Sequence, residues 1–185
     1  MSRRGPLSFD PIAEAARNWR AAGWGDAAPG MALVTSIMRT HQILLARVDS
    51  TLAPFRLTFA RFEVLMLLEF SRSGQLPLSK VGQRLQVHPA SVTNAVDRLE
   101  SDGLVTRVPH PTDGRTTLAA ITSAGRRQVR RAAVELNRSV FCDVGIDDDS
   151  VDAVVAALCV LRRNAHDFAP LEAQTSREPA PRRLA

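Results

Sequence analysis

The sequence predicts a mainly helical (α+β) fold in which one two-stranded β-hairpin interrupts a series of amphipathic helices. Apolar residues recur at three- and four-residue steps in several segments, which is the pattern of helices with one buried face. Alternation typical of strands is confined to residues 104–121. Apolar residues make up 45% of the 185 residues, which is enough to bury a core.

The first third of the chain predicts three helices. Asp10 and Pro11 suit the N-cap and first turn of a short helix, which the glycine-rich segment 23–30 ends. A long amphipathic helix follows from Met31 to about Ala53, before Pro54. The third helix runs from about Thr58 to Phe70.

Two short helices joined by a tight turn are predicted next. The first runs from Leu78 to Leu85 with Ser79 as its cap, and the second runs from Pro89 to about Asp102. Gly103 suits the stop after the second helix. That helix carries one apolar stripe, formed by Val92, Ala95 or Val96, and Leu99.

A β-hairpin and two more helices complete the predicted fold. Residues 104–108 and 115–121 are the two strands, and the segment 110–114 is the turn between them. Thr122 or Ser123 caps a long basic helix that reaches about Phe141. A last helix opens after the acidic residues 147–149, and residues 170–185 have the composition of a disordered tail.

The charge distribution points to a polyanion as partner. Residues 74–131 hold nine basic and four acidic side chains, and this excess equals the +5 net charge of the whole chain. Such asymmetry is typical of nucleic-acid binding, and a solvated arginine-rich surface is the alternative interpretation.

The order helix, tight turn, helix and hairpin is that of a winged helix-turn-helix, whose second helix enters the major groove of DNA. The first turn of that helix favours phosphate, Thr93 offers a methyl group to thymine, and Asn94 suits adenine. In the hairpin turn, Arg115 suits a narrow minor groove, with its guanidinium oriented by Asp113. Ordinary solvated side chains and a surface ion pair are the alternatives. The predicted DNA-binding residues are Ser79, His88, Pro89, Ser91, Thr93, Asn94, Arg98, Asp113 and Arg115.

These segments resemble the winged core of MarR-family transcriptional regulators. The resemblance lies in S-V-T-N-A-V-D-R-L-E-S-D-G-L-V, in the D-G-R of the wing and in I-T-S-A-G-R after it, and it extends over about Met31 to Phe168. It implies an obligate homodimer with interleaved terminal helices, and a pseudo-palindromic DNA operator read in successive major grooves.

The resemblance divides the chain into functional segments. We expect a flexible tail at 1–9, dimerisation helices at 10–57 and 123–169, a DNA-binding domain at 58–122 and a second tail at 170–185. The apolar stripes of the terminal helices support dimerisation independently, since one winged domain could not cover them fully. Packing within one chain is the alternative.

The first helix, with Trp19, is similar to the urate- and trans-aconitate-responsive branch of that family. This resemblance implies an anion pocket with Trp19, Glu63 and Arg107, but Ala95 stands where the branch has an arginine. A carboxylate metabolite therefore fits the pattern better than urate. His41 lies on the apolar stripe of the long helix, as a core histidine or an acid-binding group, and Arg39 lies beside that stripe.

The sequence thus predicts a homodimeric DNA-binding regulator, a repressor released by a small anionic ligand. The alternative is a winged-helix protein-interaction module that does not bind DNA specifically. No enzyme motif, metal spacing, cofactor motif or apolar span of membrane length is present, so we expect a cytoplasmic protein without enzymatic activity. Cys142 and Cys159 are interpreted as packed thiols.

Overall fold

The computed structural model describes residue 5 and residues 7–168, and it confirms the mainly helical fold with a small sheet. The helices are α1 (Pro11–Ala21), α2 (Ala28–Leu52), α3 (Phe59–Phe70), α4 (Leu78–Leu85), α5 (Pro89–Ser101), α6 (Ser123–Leu136) and α7 (Asp148–Asn164). The strands are β1 (Gln75–Pro77), β2 (Val105–Pro109) and β3 (Thr117–Ile121). The predicted tail at 170–185 lies outside the described residues, as does part of the tail at 1–9.

The sheet has three antiparallel strands in the order β1-β3-β2, so the prediction of two strands was incomplete. Strand β1 has three residues and pairs with the free edge of β3, with Leu76 opposite Ala119. Three residues are too few to show alternation, and their partner lies more than forty residues away. Strand β3 begins at Thr117 rather than Arg115, so the wing loop is longer than predicted.

The first compact unit ends at Cys142 and holds one hydrophobic core. This core joins the helix-turn-helix and the hairpin to α2 and α6 through fully buried side chains, among them Leu52, Leu65, Val96, Leu99, Val105 and Leu136. Removing such side chains from water is the main favourable term in folding. The position of α5 is therefore fixed by its apolar stripe, on which Val96 and not Ala95 is fully buried.

Side-chain caps fix most helix starts. Asp10, Thr58 and Thr122 accept backbone hydrogen bonds at the starts of α1, α3 and α6. Ser79 does not cap α4 as predicted, because Pro77 precedes that helix and Ser79 is its second residue. Helix α2 begins at Ala28 rather than Met31, since Pro29 suits a first turn and Gly30 takes helical geometry.

Two further boundaries differ from the prediction. The α-helical part of α6 ends at Leu136, and the predicted remainder, Asn137–Phe141, forms a π-helical turn. The Arg47 guanidinium of α2 donates to the carbonyl of Ser139 in this turn, at 2.6 Å. Cys142 after it is exposed and Cys159 is half-exposed, so the interpretation of both as packed thiols was wrong for Cys142.

The second unit begins at Asp143 and contains α7. Asp147 caps this helix by accepting from the Ser150 backbone N–H at 2.8 Å, and acidic residues follow in the first turn as predicted. None of the residues of α7 is buried, although several are large and apolar. Within the described part of the chain, no helix is long and apolar enough to cross a membrane.

Candidate nucleic-acid interface

Helices α4 and α5 form a tight helix-turn-helix because Gly82 permits their close approach. A Cβ atom at Gly82 would lie 3.3 Å from Val92 Cγ2 and 3.4 Å from the carbonyl oxygen of Val87. Gln86, between the helices, adopts a left-handed conformation with φ of 54°. A groove of about 420 Å³ separates α4 from the start of α5, and Ser79, Gln83 and Thr93 lie along it.

The start of α5 presents polar groups to solvent. His88 is the N-cap, and its Nδ1 accepts the Ala90 backbone N–H at 3.2 Å, while Pro89 occupies the first helical position. The polar side chains of the next two turns that point away from the core are exposed; they are Ser91, Thr93, Asn94, Asp97 and Arg98. Exposed polar groups at a positive helix end suit contacts to phosphate and to base edges.

The wing places Arg115 at the end of the hairpin. Asp113 holds the loop through its two carboxylate oxygens, which accept the Arg115 backbone N–H at 3.0 Å and the Thr116 hydroxyl at 2.6 Å. These hydrogen bonds lower the pKa of Asp113, with the Thr116 hydroxyl as the larger cause. Asp113 was predicted to orient the Arg115 guanidinium, but it binds the backbone instead, and among the described residues that guanidinium has no ion pair.

Arg107 forms a cluster with two carboxylates that sequence reasoning missed. From the middle of β2 its guanidinium contacts Glu100 and also Asp97, the latter at 2.5 Å. Its backbone N–H donates to the second oxygen of Glu100 at 3.0 Å. Burial lowers the pKa of Arg107, and the hydrogen bonds to Glu100 and Asp97 outweigh this and raise it. We call Asp97, Glu100 and Arg107 the clasp.

The other residues predicted to bind a ligand occupy varied surroundings. The Trp19 ring meets Trp24 edge-on, with centroids 5.5 Å apart. Arg39 lines a cavity of about 780 Å³ between α1, α2 and the residues before α1. His41 is exposed in the single chain. Glu63 is half-buried, and burial raises the pKa of its carboxyl group.

Three groups of comparisons bear on the family. The model of the MarR family matches residues 57–117, which run from the end of the turn after α2 to the first residue of β3. Sco5413, a MarR family transcriptional regulator from Streptomyces coelicolor, is 51% identical with a TM-score of 0.69 and covers 76% of this chain and 97% of its own. The chain belongs to the MarR family. Its members are transcriptional regulators, so the expectation that this chain is not an enzyme is confirmed.

Curated relatives of this MarR-family chain match over shorter stretches. The regulator YhbI of Bacillus subtilis is 33% identical over 88 residues, 48% of this chain and 56% of its own length. The repressor IacR of Pseudomonas putida is 29% identical over 105 residues, 57% of this chain and 61% of its own length. The chain thus spans about three fifths of these relatives.

Two other similar structures contain bound molecules. A mutant of Escherichia coli MarR, complexed with operator DNA, is 23% identical with a TM-score of 0.65, covering 70% of this chain and 92% of its own. CouR from Rhodococcus jostii, bound to p-coumaroyl-CoA, is 26% identical with a TM-score of 0.60, covering 74% and 94%. At 23% identity, the similarity to E. coli MarR shows a shared fold.

Proposed function

We propose that this MarR-family regulator is a homodimeric repressor that binds a specific DNA operator. The observation that carries this proposal is the exposed polar surface at the start of α5, with Asn94 on the recognition helix and Arg115 on the wing of the same unit. A helix in the major groove and an arginine in the adjacent minor groove would read DNA together. Operator DNA in the E. coli MarR structure and the repressor IacR support this interpretation.

Dimerisation is proposed to occur through helices outside the winged domain. Helix α2 exposes large apolar side chains along its length: Leu33, Val34, Met38, Ile43, Leu44 and Leu45. Helix α7 does the same with Val154, Val155, Leu158, Val160 and Leu161. Exposed apolar surface of this extent marks an interaction site. We assign dimerisation to 10–57 and 123–169, and DNA binding to 58–122.

We also propose that a small carboxylate releases the repressor from DNA. The cavity beside Arg39 has apolar walls from Phe9, Ile12 and Ala15. Its lining also holds one guanidinium, Arg39, and one carboxylate, Asp10, which is already engaged with the Ile12 backbone N–H at 2.9 Å. An apolar cavity with a guanidinium suits an amphipathic anion. A ligand bound in CouR supports this class of regulation. Among the other predicted residues, Arg107 is already paired with two carboxylates, which argues against its binding a ligand anion.

The DNA-binding proposal is tested by fluorescence anisotropy with the duplex upstream of the protein's own gene and a scrambled duplex, at two salt concentrations. We expect tight, salt-dependent binding with preference for the native sequence. Absence of binding to any duplex at low salt would favour the alternative, a protein-interaction module.

Arg115→Ala sharpens this test. The variant should weaken binding and reduce the slope of log affinity against log salt by about 0.9, if Arg115 neutralises one phosphate. Arg17→Ala on α1 removes the same charge from an exposed site and should leave the slope unchanged. If the wild type, Arg115→Ala and Arg17→Ala have equal salt slopes, Arg115 does not contact phosphate.

A further inference from the structure

The clasp places two carboxylates on the helix that is proposed to read DNA. Asp97 is exposed and lies three residues after Asn94, so the two side chains share one face of α5. Glu100 lies one further turn along, half-exposed. A carboxylate near the phosphate backbone opposes binding unless a cation neutralises it. The residue that pairs with both is Arg107, which comes from β2 rather than from α5 and offsets one of the two negative charges.

The three contacts of the clasp join α5 to the middle of the first wing strand. The Arg107 guanidinium binds both carboxylates and its backbone N–H binds Glu100, so strand and side chain are held at once. Its side chain is 26% exposed, so these ion pairs are partly shielded from water. A planar guanidinium with several fixed donors is suited to such a double contact, and a lysine ammonium is not.

From Arg107 a continuous set of hydrogen bonds leads to the wing tip. Strand β2 ends two residues later at Pro109, which pairs with Thr117. The His110 N–H then donates to the Thr116 carbonyl at 3.1 Å, and the Thr116 N–H to the Asp113 carbonyl at 3.0 Å. Asp113 holds the backbone of Arg115. The direction of β2 relative to α5 therefore determines where Arg115 lies relative to Asn94.

We propose that Arg107 is a positioning residue for DNA recognition: by binding Asp97 and Glu100 it sets the angle between the recognition helix and the wing. This inference rests on the proposed DNA binding. It gives Arg107 no direct contact with phosphate or ligand, and its effect on DNA passes through Arg115.

The first experiment compares Arg107→Lys with the double variant D97N/E100Q, by anisotropy on operator and scrambled duplexes. Each should lower the ratio of operator to scrambled affinity by about tenfold, because the wing loses its fixed angle to α5. A change in charge without a change in this angle would alter the affinity for both duplexes equally and leave the ratio unchanged. If Arg107 contacts phosphate instead, lysine preserves binding and D97N/E100Q tightens both duplexes equally, leaving the ratio unchanged. That result would overturn the proposal.

The second experiment is a double-mutant cycle between Arg107→Met and Arg115→Ala on the operator. If Arg107 acts through the wing, the double variant should bind no more weakly than the weaker single variant. If the loss of operator affinity in the double variant equals the product of the two single losses, the residues act independently and the proposal is overturned. Thermal melting of each variant confirms that the partly exposed substitutions leave the domain folded.

Failure of the inference and failure of the proposed function give different results. If the wild-type protein binds no duplex, the proposed function fails before any variant is compared. If the wild type prefers the operator, and the clasp variants have the same ratio of operator to scrambled affinity as the wild type, the proposed function stands and the positioning role is excluded.

Discussion

Asn94 is the recognition-helix side chain whose removal most directly tests base reading. Its amide is exposed on the face of α5 opposite the buried Val96, and an amide pairs with adenine through two hydrogen bonds. We expect Asn94→Ala to weaken operator binding by about 1–3 kcal/mol and to leave scrambled DNA unaffected. Competition anisotropy with both duplexes measures the difference.

A matched asparagine on α1 provides the control for this prediction. Asn18 is exposed, and Asn18→Ala makes the same chemical change away from the winged domain. It should alter neither affinity. Equal losses on operator and scrambled DNA for Asn94→Ala would instead assign Asn94 to a phosphate contact.

Glu63 gives a pH-dependent prediction at the same scale. Burial raises the pKa of its carboxyl group, and among the described residues that carboxyl has neither a hydrogen bond nor an ion pair. A raised folded-state pKa means that stability is lost as the pH rises through it. Glu63→Gln should therefore raise Tm at neutral pH by more than it does at a pH below the ordinary pKa of glutamate, where the carboxyl is protonated in both the folded and the unfolded chain. A Tm difference that is the same at both pH values would contradict this prediction.

At the scale of elements, the junction between the wing and α6 depends on Gly125. A Cβ atom there would lie 2.2 Å from the carbonyl oxygen of Leu104, a backbone atom that accepts the Thr122 N–H at 3.0 Å. We expect Gly125→Ala to destabilise the protein by more than about 2 kcal/mol, measured by urea denaturation.

Gly30 in α2 is the contrasting site for the same substitution. Nothing lies within 4 Å of a Cβ atom at Gly30, and its backbone is helical. Gly30→Ala should stabilise the protein by about 0.5–1 kcal/mol through helix propensity. A similar loss at both glycines would show that the close contact at Leu104 does not limit the junction.

Most elements were predictable because their signals are local. The start of α1 is marked by Asp10, a capping residue followed directly by a proline. The start of α6 is marked by Thr122, a capping residue that binds the backbone of Gly125 in the first helical turn. Strand β1 was missed because three residues at Gln75–Pro77 gain their pairing from β3, far along the chain. Spacing in the sequence does not report such partners.

The candidate site shows the same division. The exposed face of α5 followed from helical periodicity around Val92, Val96 and Leu99. The clasp did not, since it requires the path of β2 across the end of α5. Acids three residues apart on a recognition helix, with an arginine in the next strand, are the signal that could have found it.

At the scale of the whole molecule, the proposed dimer determines whether two recognition helices act on one duplex. Met38 is 65% exposed on the apolar side of α2, where a carboxylate would be buried against a partner. Met38→Asp should therefore shift the protein from twice the 20.2 kDa chain mass to the monomer at micromolar concentration. Size-exclusion chromatography with light scattering measures this mass.

The same variant should lose operator binding by more than about 100-fold, although its winged domain is intact. Two linked half-site contacts bind far more tightly than one, and a monomer loses that gain. Phe70→Asp is the matched control, because Phe70 is 71% exposed on α3 and outside the proposed dimerisation helices. It should keep the dimer mass of the wild type. A dimeric Met38→Asp protein would exclude this face of α2 from the interface, whereas a monomer with wild-type affinity would show that one winged domain suffices for operator binding.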